Sequence, residues 1–193
     1  MSRKTSCLES TENYIHAYNR GVDRTTIFFR ESDYHYFVEL MARALDDSDV
    51  LLLSYVLLPN HFHMVVEQHS PYAVSLFMKD VCEAYAKFIN RSRGRCGHLF
   101  QDRFKVDEVK DAGELLRLSR YIHHNPVAAG LATSILDWKF GSCRAYAAAE
   151  ASEFVAVETI LSIVGGTENY MRFLEEYDPA DPESVWRYVV RNR

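Results

Sequence analysis

The sequence has no apolar run long enough to cross a bilayer. The densest stretch, Val50 to Leu58, is nine residues long, and a spanning helix needs about twenty. No two cysteines have the spacing of a zinc ribbon or a redox dithiol, because Cys7, Cys82, Cys96 and Cys143 are widely scattered. They read as free thiols of a reducing cytoplasm. The stretch from Met1 to Thr11 has basic residues but no apolar segment after them, so no secretory signal is expected. Internal repeats and low-complexity segments are also absent, which excludes solenoid arrays.

What is present is an ordinary globular composition, 48% hydrophobic and 25% charged. A chain of 193 residues suffices for one domain with a real core and a short appendage. The net charge of -5 argues mildly against nucleic acid as a partner. Where charge sits matters more than its sum. Between positions 91 and 105, five basic residues (Arg91, Arg93, Arg95, Arg103, Lys105) stand against Asp102 alone. From Ala145 onward, nine acidic residues face four basic ones. The chain has a basic middle and an acidic tail.

Periodicity supplies the elements. Residues 13 to 19 alternate and are aromatic-rich, as a strand requires. Ser32 is expected to cap a helix from Asp33 to about Leu45, with Tyr36, Phe37, Leu40, Met41 and Ala44 on one face. Val50 to Leu58 and His61 to Glu67 form a hairpin about the Pro59-Asn60 turn. Tyr72 to about Arg91 is helical by its apolar spacing, Phe104 to Val109 extended, and Asp111 to Asn125 a helix that Pro126 stops. The order predicts an α+β fold, with an antiparallel sheet and helices packed on one face. Ser152 to Val164 and Glu168 to Tyr177 are helical again and form a C-terminal extension.

Alternate strand residues share a face, so His61 and His63 project together with Phe62 turned inward. Two imidazoles side by side suit a divalent metal. The motif alone is weak, since about 0.3 such triplets arise by chance at this histidine content. It reads equally as two surface histidines. Tyr121 and Asn125 lie one turn apart on one helix face. Asn125 falls at the expected helix end, where carbonyl dipoles favour a cation. Two imidazoles and an amide leave positions open for water or phosphate oxygens, as Mg²⁺ or Mn²⁺ prefers. By spacing alone, Tyr121 reads more readily as a half-buried helix tyrosine. His123 and His124 compete as metal or phosphate contacts.

Four blocks in order then carry a resemblance. Tyr55-Val56-Leu57-Leu58-Pro59-Asn60-His61-Phe62-His63-Met64-Val65-Val66 resembles the histidine-bearing hairpin of the HUH single-tyrosine transposases. Asn19-Arg20-Gly21, the segment Gly97 to Lys105, and the run Arg120 to Leu131 match further family motifs, the last being the helix of the nucleophilic tyrosine. Within the family the chain is most similar to the REP-associated tyrosine transposases. The likeness runs from about Glu12 to Tyr146.

The resemblance implies a ferredoxin-like or RRM-like domain over 12–146, with 147–193 as an acidic, mostly helical extension that has no counterpart. It implies a DNA transposase working on single strands near hairpins through a 5′-phosphotyrosine. Tyr121 is the implied nucleophile, and His61, His63 and Asn125 the implied ligands of Mg²⁺ or Mn²⁺. Arg20, Arg24, Arg91, Arg93, Arg95, Arg103 and Lys105 are the implied DNA contacts. His98 and Gln101 either read bases or cap their loop, while Trp138 and Phe140 belong to the core. A cytoplasmic, nucleoid-associated protein of a prokaryote is expected, with homodimer and monomer both open. Three other readings remain: a domesticated binder of hairpin nucleic acid that does not cut, a water-activating phosphodiesterase that recruits Glu67, and a non-enzymatic ferredoxin-like module.

Overall fold

Alternation with period two and periods of three to four succeed one another along the chain, and the elements follow them. The computed structural model describes residues 7–148 and 152–177. Strand β1 (Asn13–Arg20) leads through a 3-10 turn (Val22–Arg24) to helix α1 (Glu31–Asp46). Strands β2 (Val50–Leu58) and β3 (His61–Gln68) form the expected hairpin. Helix α2 (Ala73–Ser92), strand β4 (Lys105–Val109) and helix α3 (Ala112–Ala128) follow. Three short helices close the described chain: α4 (Cys143–Tyr146), α5 (Val157–Val164) and α6 (Thr167–Glu175).

The sheet is antiparallel throughout, in the order β2-β3-β1-β4. With the element order βαββαβ, this is the ferredoxin-like arrangement. Helices α1 and α2 cover one face, where Phe37 of α1 meets Phe62 and Tyr85 at ring-centroid distances of 5.0 and 4.9 Å. Because neighbouring strand residues point to opposite faces, His63 looks the other way. There it meets α3. The opposite face is thus partly roofed by the helix that carries Tyr121, in addition to the helix-covered face that the element order predicts.

Two local expectations are corrected. Ser32 does not cap α1. The Asp33 carboxylate instead accepts the backbone N–H groups of Phe29 and Arg30 at 2.9 and 3.0 Å, and the helix starts at Glu31. Nor does Pro126 stop α3, which runs on to Ala128. Proline so close to a helix end forfeits one internal hydrogen bond, and its buried ring offsets that loss. Asn125 consequently lies inside the last turn, its carbonyl taken by Ala129 N–H.

The described part of the C-terminal extension, 152–177, docks behind α3. Ile160, Val164, Tyr170 and Phe173 join the same apolar cluster as the sheet. Residues 149–151 and 178–193 of the expected extension lie outside the described residues. All four cysteines are thiols outside any disulfide, with Cys96 alone exposed. Among the described residues, no helix is long and apolar enough to cross a membrane.

Candidate active site

His61 and His63 stand on one face of β3, with ring centroids 5.2 Å apart. The β1–β3 register sets Arg20 opposite His61 and Tyr18 opposite His63. Arg20, Arg24 and Lys105 line the same pocket as the two histidines, a space of about 350 Å³. Desolvation by burial, with a smaller contribution from Arg20, lowers the His61 pKa. Burial first, and the neighbouring His16 and His61 second, take His63 down to about 3. Both rings are therefore neutral near pH 7 and keep a lone pair for a ligand.

Hydrogen bonds decide which nitrogen carries that lone pair. The Asn60 amide donates from Nδ2 to the Arg24 carbonyl at 3.1 Å. Its Oδ1 is thereby turned to Nδ1 of His61, 2.6 Å away. His61 must donate from Nδ1, which leaves Nε2 as the lone-pair nitrogen. His63 has its Nδ1 2.9 Å from Nε2 of His16. His16 was not foreseen. Its only sequence signal is the alternation that puts His16, Tyr18 and Arg20 on one face of β1, and that says nothing about which strand lies beside them.

Tyr121 is 47% exposed, and its ring meets His63 edge-on with centroids 5.5 Å apart. Asn125, one turn on, is 9% exposed. Its side-chain Nδ2 is buried without a hydrogen-bond partner among the described residues. It does not line the 350 Å³ pocket. Two neutral imidazoles, an amide and no thiolate make a mixed nitrogen and oxygen donor set open to a divalent ion. The Asn125 Nδ2 without a partner among the described residues is an N–H donor, so the ligand atom there would be Oδ1. Among the described residues, no three His, Cys, Asp or Glu side chains gather to hold a metal ion. That counts against Glu67, which sits beyond Val65 on β3 with its carboxylate 3.9 Å from His69.

The other histidines of the tyrosine helix do different work. His123 is buried, bonded to Ser142 Oγ at 2.9 Å and to Tyr170 OH at 3.0 Å. With both ring nitrogens engaged in the core, it has none for a metal or a phosphate. His124 Nε2 donates to the Leu174 carbonyl at 2.8 Å. Arg93 also departs from expectation. Its guanidinium pairs with Asp33 at 3.1 Å and lies 3.9 Å over the Phe29 ring. Arg91 and Arg103 are exposed and Arg95 half-buried, and none of the three lines the histidine pocket. Gln101 Oε1 accepts from Arg20 Nε at 2.7 Å. Trp138 donates to the Leu57 carbonyl and Phe140 is buried, as core residues do.

Gly21 explains why distant motifs meet here. Its N–H donates to the Asn60 carbonyl, Val22 N–H to Leu99, and Gln101 N–H to Arg20. A Cβ at position 21 would lie 2.2 Å from the Thr25 carbonyl oxygen, so only glycine fits. The next residues, Asp23 and Arg24, both have positive φ, a conformation that non-glycine residues adopt at a cost.

No curated protein sequence matches the chain. A solved structure described as "Structure of the REP associates tyrosine transposase bound to a REP hairpin" aligns with a TM-score of 0.60 at 17% identity, covering 72% of this chain and 80% of that one. At that identity the likeness establishes the shared fold. Residues 9–125, from before β1 into the last turn of α3, match the family described as Transposase IS200 like. This span is well over half of the chain, and the protein belongs to the IS200-like transposase family.

Proposed function

We propose that the protein cuts and rejoins single-stranded DNA beside a hairpin, with Tyr121 as the nucleophile. The carrying observation is the exposed Tyr121 ring set edge-on to His63, 5.5 Å between centroids. The phenol oxygen bonds to the scissile phosphorus as the bond from phosphorus to the 3′ oxygen breaks. The phenol loses its proton and the departing 3′ oxygen gains one. The products are a 5′-phosphotyrosine and a free 3′-hydroxyl. Attack by the 3′-hydroxyl of a second strand reverses the step and rejoins DNA, so bond energy is conserved through the covalent intermediate.

His61, His63 and Asn125 are the residues that would hold Mg²⁺ or Mn²⁺. Bound there, the ion supplies Lewis-acid polarisation of the phosphate. Arg20, Arg24 and Lys105 neutralise phosphates of the strand entering the pocket. Arg91, Arg95 and Arg103 serve the flanking hairpin. Arg93 is left out of this set, since Asp33 holds it. That the solved relative is bound to a REP hairpin supports this class of substrate.

The test is covalent trapping. The protein is incubated with Mn²⁺ and a labelled hairpin oligonucleotide with single-stranded flanks, then run on a denaturing gel. The wild type should form a labelled adduct and Tyr121→Phe none. Equal labelling of Tyr121→Phe, or no adduct with any repeat-derived hairpin, rejects the nucleophile. Hairpin binding without adduct would favour a protein that holds DNA and does not cut it.

A further inference from the structure

His16 takes no part in the chemistry above, yet it is built into the site. It stands on β1 opposite Val65, one alternation away from the Tyr18–His63 pair. Its ring leans across that register and lies 5.1 Å from the His63 ring at an interplanar angle of 19°. On its other side the Tyr18 ring lies at 4.7 Å. Nε2 of His16 and Nδ1 of His63 are 2.9 Å apart. Two neutral imidazole nitrogens at this distance share one proton, so one ring donates and the other accepts.

We propose that His16 is a positioning residue, which accepts the Nδ1–H of His63 and so presents the Nε2 lone pair of His63 as a metal ligand. The inference rests on the reading of His63 as a ligand and assigns a residue that acts through it. If His16 donated instead, His63 would carry its proton on Nε2. The pair His61 and His63 would then offer one lone pair and one N–H, and no ion could be held by both. With His16 as acceptor, the two histidines match: Asn60 Oδ1 holds Nδ1 of His61 and His16 Nε2 holds Nδ1 of His63. Each ligand has its own outer partner, the arrangement that fixes ring orientation in metal sites generally.

A neutral His16 that accepts at Nε2 carries its own proton on Nδ1. Asp107 is its register partner on β4, and both line a groove of about 470 Å³ that also reaches Tyr121. Stacking between Tyr18 and His63 limits the freedom of the imidazole to turn away.

The first measurement needs no metal. In ¹⁵N-histidine NMR spectra of the metal-free protein at neutral pH, His63 should show the Nδ1–H tautomer. The His16→Phe variant keeps the stacking but has no acceptor, and His63 should revert to the Nε2–H form that free imidazoles favour. His16→Gln offers a carbonyl oxygen to the same proton and should retain Nδ1–H. In a Mn²⁺ titration, His16→Phe should lose about 10- to 100-fold in affinity, and His16→Gln should stay within a few-fold of wild type. An Nε2–H tautomer of His63 in the wild type overturns the proposal whether or not any variant folds. So does wild-type Mn²⁺ affinity in a folded His16→Phe protein. Failure of the underlying reading looks different: Mn²⁺ binding would then be untouched by His61→Ala.

Discussion

At the residue scale, Arg93 and Lys105 show how one charge serves two ends. Both belong to the basic middle of the chain, and sequence offers no means of telling them apart. Arg93 sits against Asp33, which is 4% exposed. A cation facing a nearly buried carboxylate is held by the fold. Arg93→Ala should lower stability by about 1–3 kcal/mol, since a charged hydrogen bond is lost from a desolvated partner. Denaturant unfolding reads this, and an unchanged midpoint would contradict a structural role. Lys105 is exposed on the pocket that holds His61 and His63. Lys105→Ala should leave the unfolding midpoint alone and weaken DNA binding similarly across sequences. The slope of log affinity against log salt should become shallower by about one. A steeper or unchanged slope would remove Lys105 from the phosphate contacts.

Elements carry the next level. The 21–25 turn, the β2–β3 turn and the 99–101 segment meet through backbone hydrogen bonds at Gly21. Gly21→Ala forces a methyl against a backbone oxygen that cannot move without dragging Arg24 and Asn60. A loss of about 1–3 kcal/mol is expected from such overpacking, together with weaker Mn²⁺ binding through the disturbed Asn60–His61 contact. A folded, fully stable alanine variant would show that the turn relaxes freely. On the back of α3, Tyr170 OH bonds to His123 Nδ1 and to Ser119 Oγ. Tyr170→Phe strands two buried polar groups, for about 1–3 kcal/mol. Thermal unfolding of that variant tests whether the acidic extension supports the tyrosine helix. These element contacts were hidden from sequence. The helical pattern of the extension was legible, but its docking partner was not.

For the whole molecule, buried histidines set the response to acid. Burial, the first cause in each case, lowers His16 to about 4 and His63 and His123 to about 3. The unfolded chain protonates its histidines at the ordinary 6.5. Below that pH the unfolded state binds more protons than the folded one, so stability falls as the solution is acidified. The stabilisation is full above about 6.5 and is lost as pH drops through the folded values near 4 and 3. For the fully buried His123, acidification to about pH 5 removes roughly 2 kcal/mol. Urea midpoints of the metal-free protein should decline from pH 7 to about pH 4.5, and a flat profile would contradict neutral burial of these rings. The overall charge of -5 coexists with a basic pocket, since the acidic extension lies behind α3 and no residue of its described part lines that pocket.

Local chemistry determined much of this from the sequence alone. The alternation of β1, β2 and β3, the turn at Pro59-Asn60 and the apolar spacing of the helices all depend on near neighbours, so the βαββαβ order was legible. The shared face of His61 and His63 was legible for the same reason, since strand parity is a property of the backbone. Three features depended on tertiary structure, because each joins residues far apart in the chain. The β1–β3 register brought His16 to His63, residues 47 positions apart. The choice of sheet face brought Tyr121 over His63 and left Asn125 Nδ2 buried without a partner among the described residues. The collapse of the apolar core turned His123 and Arg93 inward, away from the roles their residue types suggested.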